Sequence, residues 1–121
     1  MHQHPLPDTS HPDDLARVSA IFKTLSEPTR VQLVLLLVKH EQGVAQLVDT
    51  LNQPQSTVSR HLGLLRQAQV VKTRREGTHV YYRLADAHVA QLVEQAFSHA
   101  QHERLGLPDH AAPPSPAGRV H

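Results

Sequence analysis

Four side chains that commonly bind metals lie in two pairs in the last third of the sequence. Asp86 and His88 form the first pair, and His99 and His102 form the second, with ten residues between His88 and His99. Three imidazoles and one carboxylate are a four-coordinate N/O set suited to zinc, and tetrahedral cobalt would mimic it. The chain has 11 histidines and no cysteine, so a metal site here contains no thiolate. The spacing predicts a metal site made of Asp86, His88, His99 and His102.

The distance between the two pairs determines how such a site can be built. On a helix, the step from His88 to His99 is about three turns with roughly 20° of drift, so both rings leave the same side. The same step spans roughly 16 Å, whereas ligand bonds to zinc are about 2 Å long. One helix therefore cannot bring both pairs to one ion, but two antiparallel copies can. Two-fold symmetry then predicts two equivalent sites per homodimer.

The helix that carries these ligands has its own reason to pair. From about Asp86 onward, apolar residues recur at spacings of three and four, which predicts one apolar stripe along the helix. The residues of this stripe are Val89, Leu92, Val93, Ala96, Phe97 and Ala100. The competing interpretation is a dimerisation helix with incidental histidines, in which Asp86 serves only as an N-cap.

Positive charge is concentrated in one quarter of the chain, although the net charge is only +1. Between residues 53 and 85 the single acid is Glu76, and six of the 12 basic residues fall there: Arg60, Arg66, Lys72, Arg74, Arg75 and Arg83. A local cluster of this kind suits contact with nucleic-acid phosphates, and the alternative is an ordinary solvated face.

The same region has the order of elements found in a winged helix-turn-helix. The sequence predicts a short helix over 44–51, a break at 52–54, a helix over 55–67, and strands over 69–74 and 79–84 joined by a turn at 75–78. In such a unit the second helix enters the major groove and the hairpin follows the phosphates. The predicted DNA contacts are Gln55, Ser56, Thr57, Ser59 and Arg60 on that helix, and Lys72, Arg74 and Arg75 on the hairpin.

The fold class predicted is mainly α with a small β-hairpin wing, an α+β winged helix-turn-helix that is homodimeric through paired terminal helices. Two further helices begin near Pro12 and at Pro28, and the apolar segment 31–38 is expected to be central to the core. The predicted domain organisation is a flexible segment over 1–10, the DNA-binding and dimerisation domain over 11–105, and a disordered tail over 106–121.

Other functional classes are disfavoured. The longest apolar run, 31–38, is too short to cross a bilayer, and the N-terminus lacks the features of a secretory signal, so we expect a cytoplasmic protein with no membrane partner. A closed metal site with no spare nucleophile or general base beside it argues against an enzyme with a small organic substrate. A metal carrier, a metallohydrolase and a winged-helix regulator that responds to no metal stay as rival interpretations.

Over roughly residues 15–105 the chain resembles the ArsR/SmtB family of metal-responsive repressors. The matching segments are LSEPTR at 25–30, QSTVSRHL at 55–62, RREG at 74–77, VYYRL at 80–84, and the Asp-x-His-x10-His-x2-His pattern. The resemblance implies the ligands and DNA contacts named above, with an apo dimer that holds operator DNA and releases it when metal binds. Members that bind arsenic, cadmium or lead use cysteines, which this chain lacks, and Pro54 departs from the small polar residue usual there.

Two finer expectations come from the same resemblance. The second ring nitrogen of His99 is expected to hydrogen-bond backbone near Gln69, which would link the metal site to the loop after the recognition helix. The family's nickel and cobalt sensors recruit extra ligands from chain ends, and here His2, His4 and the α-amine, or His110 and His121, could serve. Six N/O ligands would favour Ni(II) or Co(II) over Zn(II), which stays the first expectation.

Overall fold

The computed structural model describes residues 6–106, which form five helices and one small sheet. In chain order the elements are α1 (Pro12–Thr24), α2 (Pro28–Lys39), β1 (Gln42–Gly43), α3 (Val44–Leu51), α4 (Gln55–Gln67), β2 (Val71–Glu76), β3 (His79–Leu84) and α5 (Ala87–Leu105). The sheet is antiparallel, with strand order β1-β3-β2. The predicted winged helix-turn-helix is confirmed, with α3 and α4 as the helix pair and β2-β3 as the wing.

The helix starts follow from local capping. Pro28 opens α2, where its missing N–H costs nothing, and the Glu27 carboxylate accepts a hydrogen bond from the Arg30 amide at 3.2 Å. Asp86 caps α5 in the same way. Within residues 6–106, no helix has both the length and the apolar content that a membrane span requires.

Helix α2 is central to the core, as its apolar sequence predicts. Leu33 and Val34 are completely buried, and they belong to one cluster with residues of α3, α4, β2 and α5. Burial of the inward face of α4 is also confirmed, since Val58, Leu62 and Leu65 are fully buried. At roughly 1.5–3 kcal/mol per buried aliphatic side chain, this face fixes the orientation of α4 against the core.

The predicted first strand of the wing was wrong by two residues, whereas the second strand, predicted over 79–84, is confirmed. Strand β2 covers Val71–Glu76 and not 69–74, because Gln69 has a φ of 61°, a left-handed conformation that no strand residue adopts. At the other end, Gly77 with a φ of 61° allows a tight turn, so the strands continue to Glu76 and His79. The predicted turn at 75–78 is therefore shorter, and Arg74 and Arg75 lie within the strand.

Strand β1 was not predicted. Helix α2 ends at Lys39, and Gly43, the second residue of β1, is the N-cap of α3. Gln42 pairs with Tyr82 of β3 and is buried, with its Nε2 donating to the Leu36 carbonyl at 2.8 Å. A two-residue strand is too short to show the alternation by which strands are recognised.

Candidate metal centre and DNA interface

The first predicted ligand pair is assembled at the start of α5. One oxygen of Asp86, Oδ1, accepts hydrogen bonds from the backbone amides of His88 and Val89 at 2.9 and 3.2 Å. The His88 ring nitrogen Nδ1 lies 3.6 Å from the same oxygen, and the His88 side chain is 91% exposed. Within residues 6–106 the second oxygen of Asp86 accepts no hydrogen bond. Capping therefore holds the carboxylate beside the imidazole and leaves one oxygen available for a metal.

The second pair lies near the other end of the same unbroken helix. His99 is exposed, His102 is half-buried, and α5 runs from Ala87 to Leu105 without interruption, so roughly 16 Å separates the pairs. Among the described residues of one chain, no three histidine or acidic side chains come together as a metal-binding group. The single chain thus keeps the two pairs, which we call half-sites, apart, and the four-ligand metal site stays a prediction. His2, His4, His110 and His121 lie outside the described residues.

The expected link between His99 and Gln69 is not formed in the single chain. The Gln69 amide donates to the Arg66 carbonyl at 3.0 Å, and the Gln69 side chain accepts from Arg17 at 2.7 Å. The His99 side chain makes no hydrogen bond to any residue between 6 and 106. The hydrogen bond between His99 and the backbone near Gln69 stays a prediction for the metal-loaded dimer.

An apolar surface lies beside the half-sites. Helix α1 has no buried residue, and Leu15, Val18 and Phe22 form an exposed apolar row on it at helical spacing. On α5, Leu92 and Phe97 are also exposed and, with Phe22, they border a groove of about 260 Å³. We call these five residues the apolar face. The sequence marks Leu15, Val18 and Phe22 as part of one face of α1, but the predicted dimer contact used α5 alone.

Helix α4 presents the polar side that the sequence predicts. Gln55, Ser56, Ser59 and Arg60 are exposed, whereas Thr57 is half-buried. Asn52 has a φ of 55°, and this left-handed residue ends α3 and turns the chain toward α4. The resulting surface offers hydroxyl, amide and guanidinium groups, which are the types that reach base edges and phosphates.

The predicted wing cations differ in their availability. Arg74 donates two hydrogen bonds to Glu41, from Nε at 2.9 Å and from Nη2 at 2.6 Å. Its other terminal nitrogen, Nη1, donates to Glu76 at 2.7 Å. Its guanidinium also lies 4.8 Å from the centre of the Tyr81 ring. These hydrogen bonds raise the pKa of Arg74 and lower that of Glu41. Arg74 therefore ties the wing to the segment before β1, whereas Lys72 and Arg75, both exposed, have no carboxylate partner among residues 6–106.

His61 is a buried polar residue of α4. Its ring nitrogen Nδ1 accepts a hydrogen bond from Nε of Arg30 at 3.1 Å, and Glu27 lies 3.9 Å away. Burial lowers the pKa of His61, Arg60 and Arg30 lower it further, and Glu27 opposes them. His61 therefore packs inward and is not part of the exposed side of α4.

The lowered pKa makes stability depend on pH. Because the unfolded chain binds the proton more readily than the folded chain, unfolding becomes easier as the pH falls through the ordinary pKa of about 6.5. We expect the free energy of unfolding in urea to fall less between pH 7.5 and 5.5 in His61→Gln than in the natural protein. His40→Gln, a change at an exposed histidine, is the control. An unchanged pH dependence in His61→Gln would show that His61 titrates normally.

Similarity to known proteins is consistent with this geometry. Residues 27–73 match the family model "Bacterial regulatory protein, arsR family". The transcriptional regulator KmtR of Mycobacterium tuberculosis is 42% identical over 106 residues, covering 88% of this chain and 78% of KmtR. The transcriptional repressor SmtB of the same species is 36% identical over 113 residues, covering 86% and 84%. A cadmium resistance regulatory protein, the CadC homolog of Staphylococcus aureus, is 42% identical over 90 residues, covering 74% and 72%.

A solved structure shares the arrangement of elements. The homodimeric winged helix-turn-helix DNA-binding domain of Mb0332 from Mycobacterium bovis superimposes with a TM-score of 0.76 at 28% identity, covering 86% of this chain and 96% of that domain. Likeness in sequence and in fold thus extends across both the helix-turn-helix and α5. The chain therefore belongs to the ArsR family of bacterial regulatory proteins, which are DNA-binding transcriptional regulators and not enzymes.

Proposed function

We propose that the protein is a metal-sensing transcriptional repressor: its metal-free homodimer holds operator DNA, and zinc at two inter-subunit sites releases it. The observation that carries this proposal is the Asp86–His88 half-site, held by capping at one end of α5 while His99 and His102 lie near the other end. Antiparallel pairing of two α5 helices places complementary half-sites opposite each other twice. The donor set of three imidazoles and one carboxylate fits zinc.

The apolar face supports the dimer. Phe22 and Phe97 are 58% and 43% exposed, which is unusual for aromatic side chains on adjacent helices of a small domain. A second copy would cover both helices and bring the two α5 helices together. The homodimeric state of the Mb0332 domain, which has the same fold, agrees with this assignment.

DNA binding is assigned to the exposed side of α4 and to the wing. Arg60 and the hydroxyls of Ser56 and Ser59 are placed to reach the major groove, while Lys72 and Arg75 are placed to contact phosphates. A dimer carries two such surfaces, so the distance between its recognition helices decides whether both fit one operator.

Release then follows from a shift between two dimer geometries. Metal binds one geometry more tightly, and DNA binds the other, so each ligand weakens the other by the same factor. Couplings of this kind are typically 5–150-fold. His99 is the residue through which the metal site would reach the loop after α4.

The experiment that tests this function follows operator release as zinc, nickel and cobalt are added separately to the dimer–operator complex. Salt is held constant, because phosphate contacts make the affinity depend on salt. The proposal is supported if zinc releases the operator at a lower free concentration than nickel or cobalt does. Release by nickel or cobalt alone would support the alternative, a six-ligand sensor that uses chain-end histidines such as His2, His4 or His110. Tight metal binding with an unchanged operator affinity would indicate a metal carrier. A protein that binds no metal would be a regulator that does not respond to metals.

A further inference from the structure

A positively charged cleft lies between the end of α4, the base of the wing and the start of α5. Its volume is about 580 Å³, and the cations that line it are Arg66, Lys72 and Arg83. Gln69 and Thr73 add uncharged polar groups to the lining, and Asp86 is its acid. Three cations against one carboxylate leave the cleft with a net charge of +2.

The arrangement of these cations favours a bound anion, although the Glu41 carboxylate already attracts Arg83. Lys72 and Arg83 are direct partners across β2 and β3, so two like charges stand opposite each other on one side of the wing. Such cross-strand pairs are destabilising. Within residues 6–106, none of the three cations forms a salt bridge, and the Oδ1 atom of Asp86 is already engaged in capping α5. The neighbouring Arg74, by contrast, is neutralised by two carboxylates.

The chemistry of the lining selects an oxyanion. Two guanidinium groups and one ammonium group offer several donors, and the planar fork of arginine matches the oxygens of a phosphate group. We propose that this cleft is a phosphate-binding site that is distinct from the base-reading surface and that borders the Asp86–His88 half-site through Asp86. The bound group comes either from the DNA backbone or from free phosphate in solution.

The position of Arg66 favours the DNA backbone as the source. Arg66 follows Ser59 by seven residues, or about two helical turns, so the two side chains lie on nearly the same side of α4. A duplex read by the start and middle of α4 would carry its flanking phosphates past the end of that helix. The cleft would then fix the register of the recognition helix without reading sequence.

The test uses zinc-free, full-length protein in three forms: natural, Arg83→Gln and Arg66→Gln, because Lys72 is already assigned to the wing's phosphate contacts. Lys39→Gln, which removes an exposed cation at the end of α2, is the control. In the first arm, the salt dependence of operator affinity is measured. If a DNA phosphate occupies the cleft, each cleft variant lowers the slope of log affinity against log salt by about 1, and the control does not.

The second arm measures the thermal unfolding of each form with inorganic phosphate in place of chloride at equal ionic strength. It also measures the binding of inorganic phosphate to each form by isothermal titration. If free phosphate occupies the cleft, it raises the unfolding midpoint of the natural protein and of Lys39→Gln, and both cleft variants lose this response. A change in either arm supports the site and identifies the source. Cleft variants that match the natural protein in both arms would overturn the proposal. Because no metal is present, neither result depends on the proposed sensing function.

Discussion

Replacing His88 with alanine is expected to leave the protein folded and bound to its operator, while zinc no longer releases it. The His88 side chain is 91% exposed and packs against nothing in the core, so its loss costs little stability. It is, however, one of four proposed ligands. Since removing even an outer-shell partner of a metal ligand costs 10–100-fold in affinity, we expect zinc affinity to fall by more than about 100-fold.

The matched control for this variant is His79→Ala, because His79 is an exposed histidine on β3 outside the proposed site. A second variant, Asp86→Asn, separates metal binding from helix capping, since asparagine caps as well as aspartate but lacks the charge. Both His88→Ala and Asp86→Asn should bind operator without zinc, and both should lose the response to zinc. Normal release of His88→Ala by zinc would exclude His88 as a ligand.

Replacing Phe22 with glutamate is expected to break the dimer and therefore to weaken both operator binding and zinc binding. Phe22 is 58% exposed in the single chain, so the change leaves the fold of the protomer intact, as circular dichroism can verify. In the dimer the same position would bury a charge in an apolar interface, and aromatic anchors of such interfaces are commonly worth 2 kcal/mol or more. A monomer also loses the gain from two linked binding surfaces, roughly 10²–10⁴-fold in operator affinity.

Sedimentation equilibrium and operator binding of Phe22→Glu are compared with those of Leu6→Glu. Leu6 is 93% exposed and precedes α1, so the control adds the same charge outside the apolar face. We expect Leu6→Glu to stay dimeric, and Phe22→Glu to sediment as a monomer that binds neither operator nor zinc tightly. A dimeric Phe22→Glu would mean that α1 is not part of the interface.

The parts of the fold that were predictable are those determined by short-range chemistry. Pro28 and Asp86 mark helix starts because an N-terminal turn has unpaired amides, and the spacing of Val58, Leu62 and Leu65 determines which side of α4 is buried. The start of β2 was placed two residues too early because Gln69 adopts a left-handed conformation that its residue type does not indicate. Strand β1 was missed because its pairing with β3 is long-range.

The same division applies to the candidate sites. The proximity of Asp86 and His88 is local, so their spacing at a helix start was enough to predict it. The pairing of Arg74 with Glu41, 33 residues apart in sequence, depends on the packed structure, and no sequence pattern separates Arg74 from its neighbour Arg75. In the same way, the opposition of Lys72 and Arg83 appears only once the register of the wing is known.

The central claim, that each metal site takes ligands from two chains, is tested most directly with mixed dimers. His88→Ala and His99→Ala each damage both sites of their own homodimer. In a heterodimer of the two, one site lacks two ligands, and the other regains all four: Asp86 and His88 from one chain and His99 and His102 from its partner. We expect that neither homodimer binds zinc tightly and that the heterodimer binds one zinc ion with the affinity of a site in the natural protein. A heterodimer that binds no more tightly than its parents would contradict it.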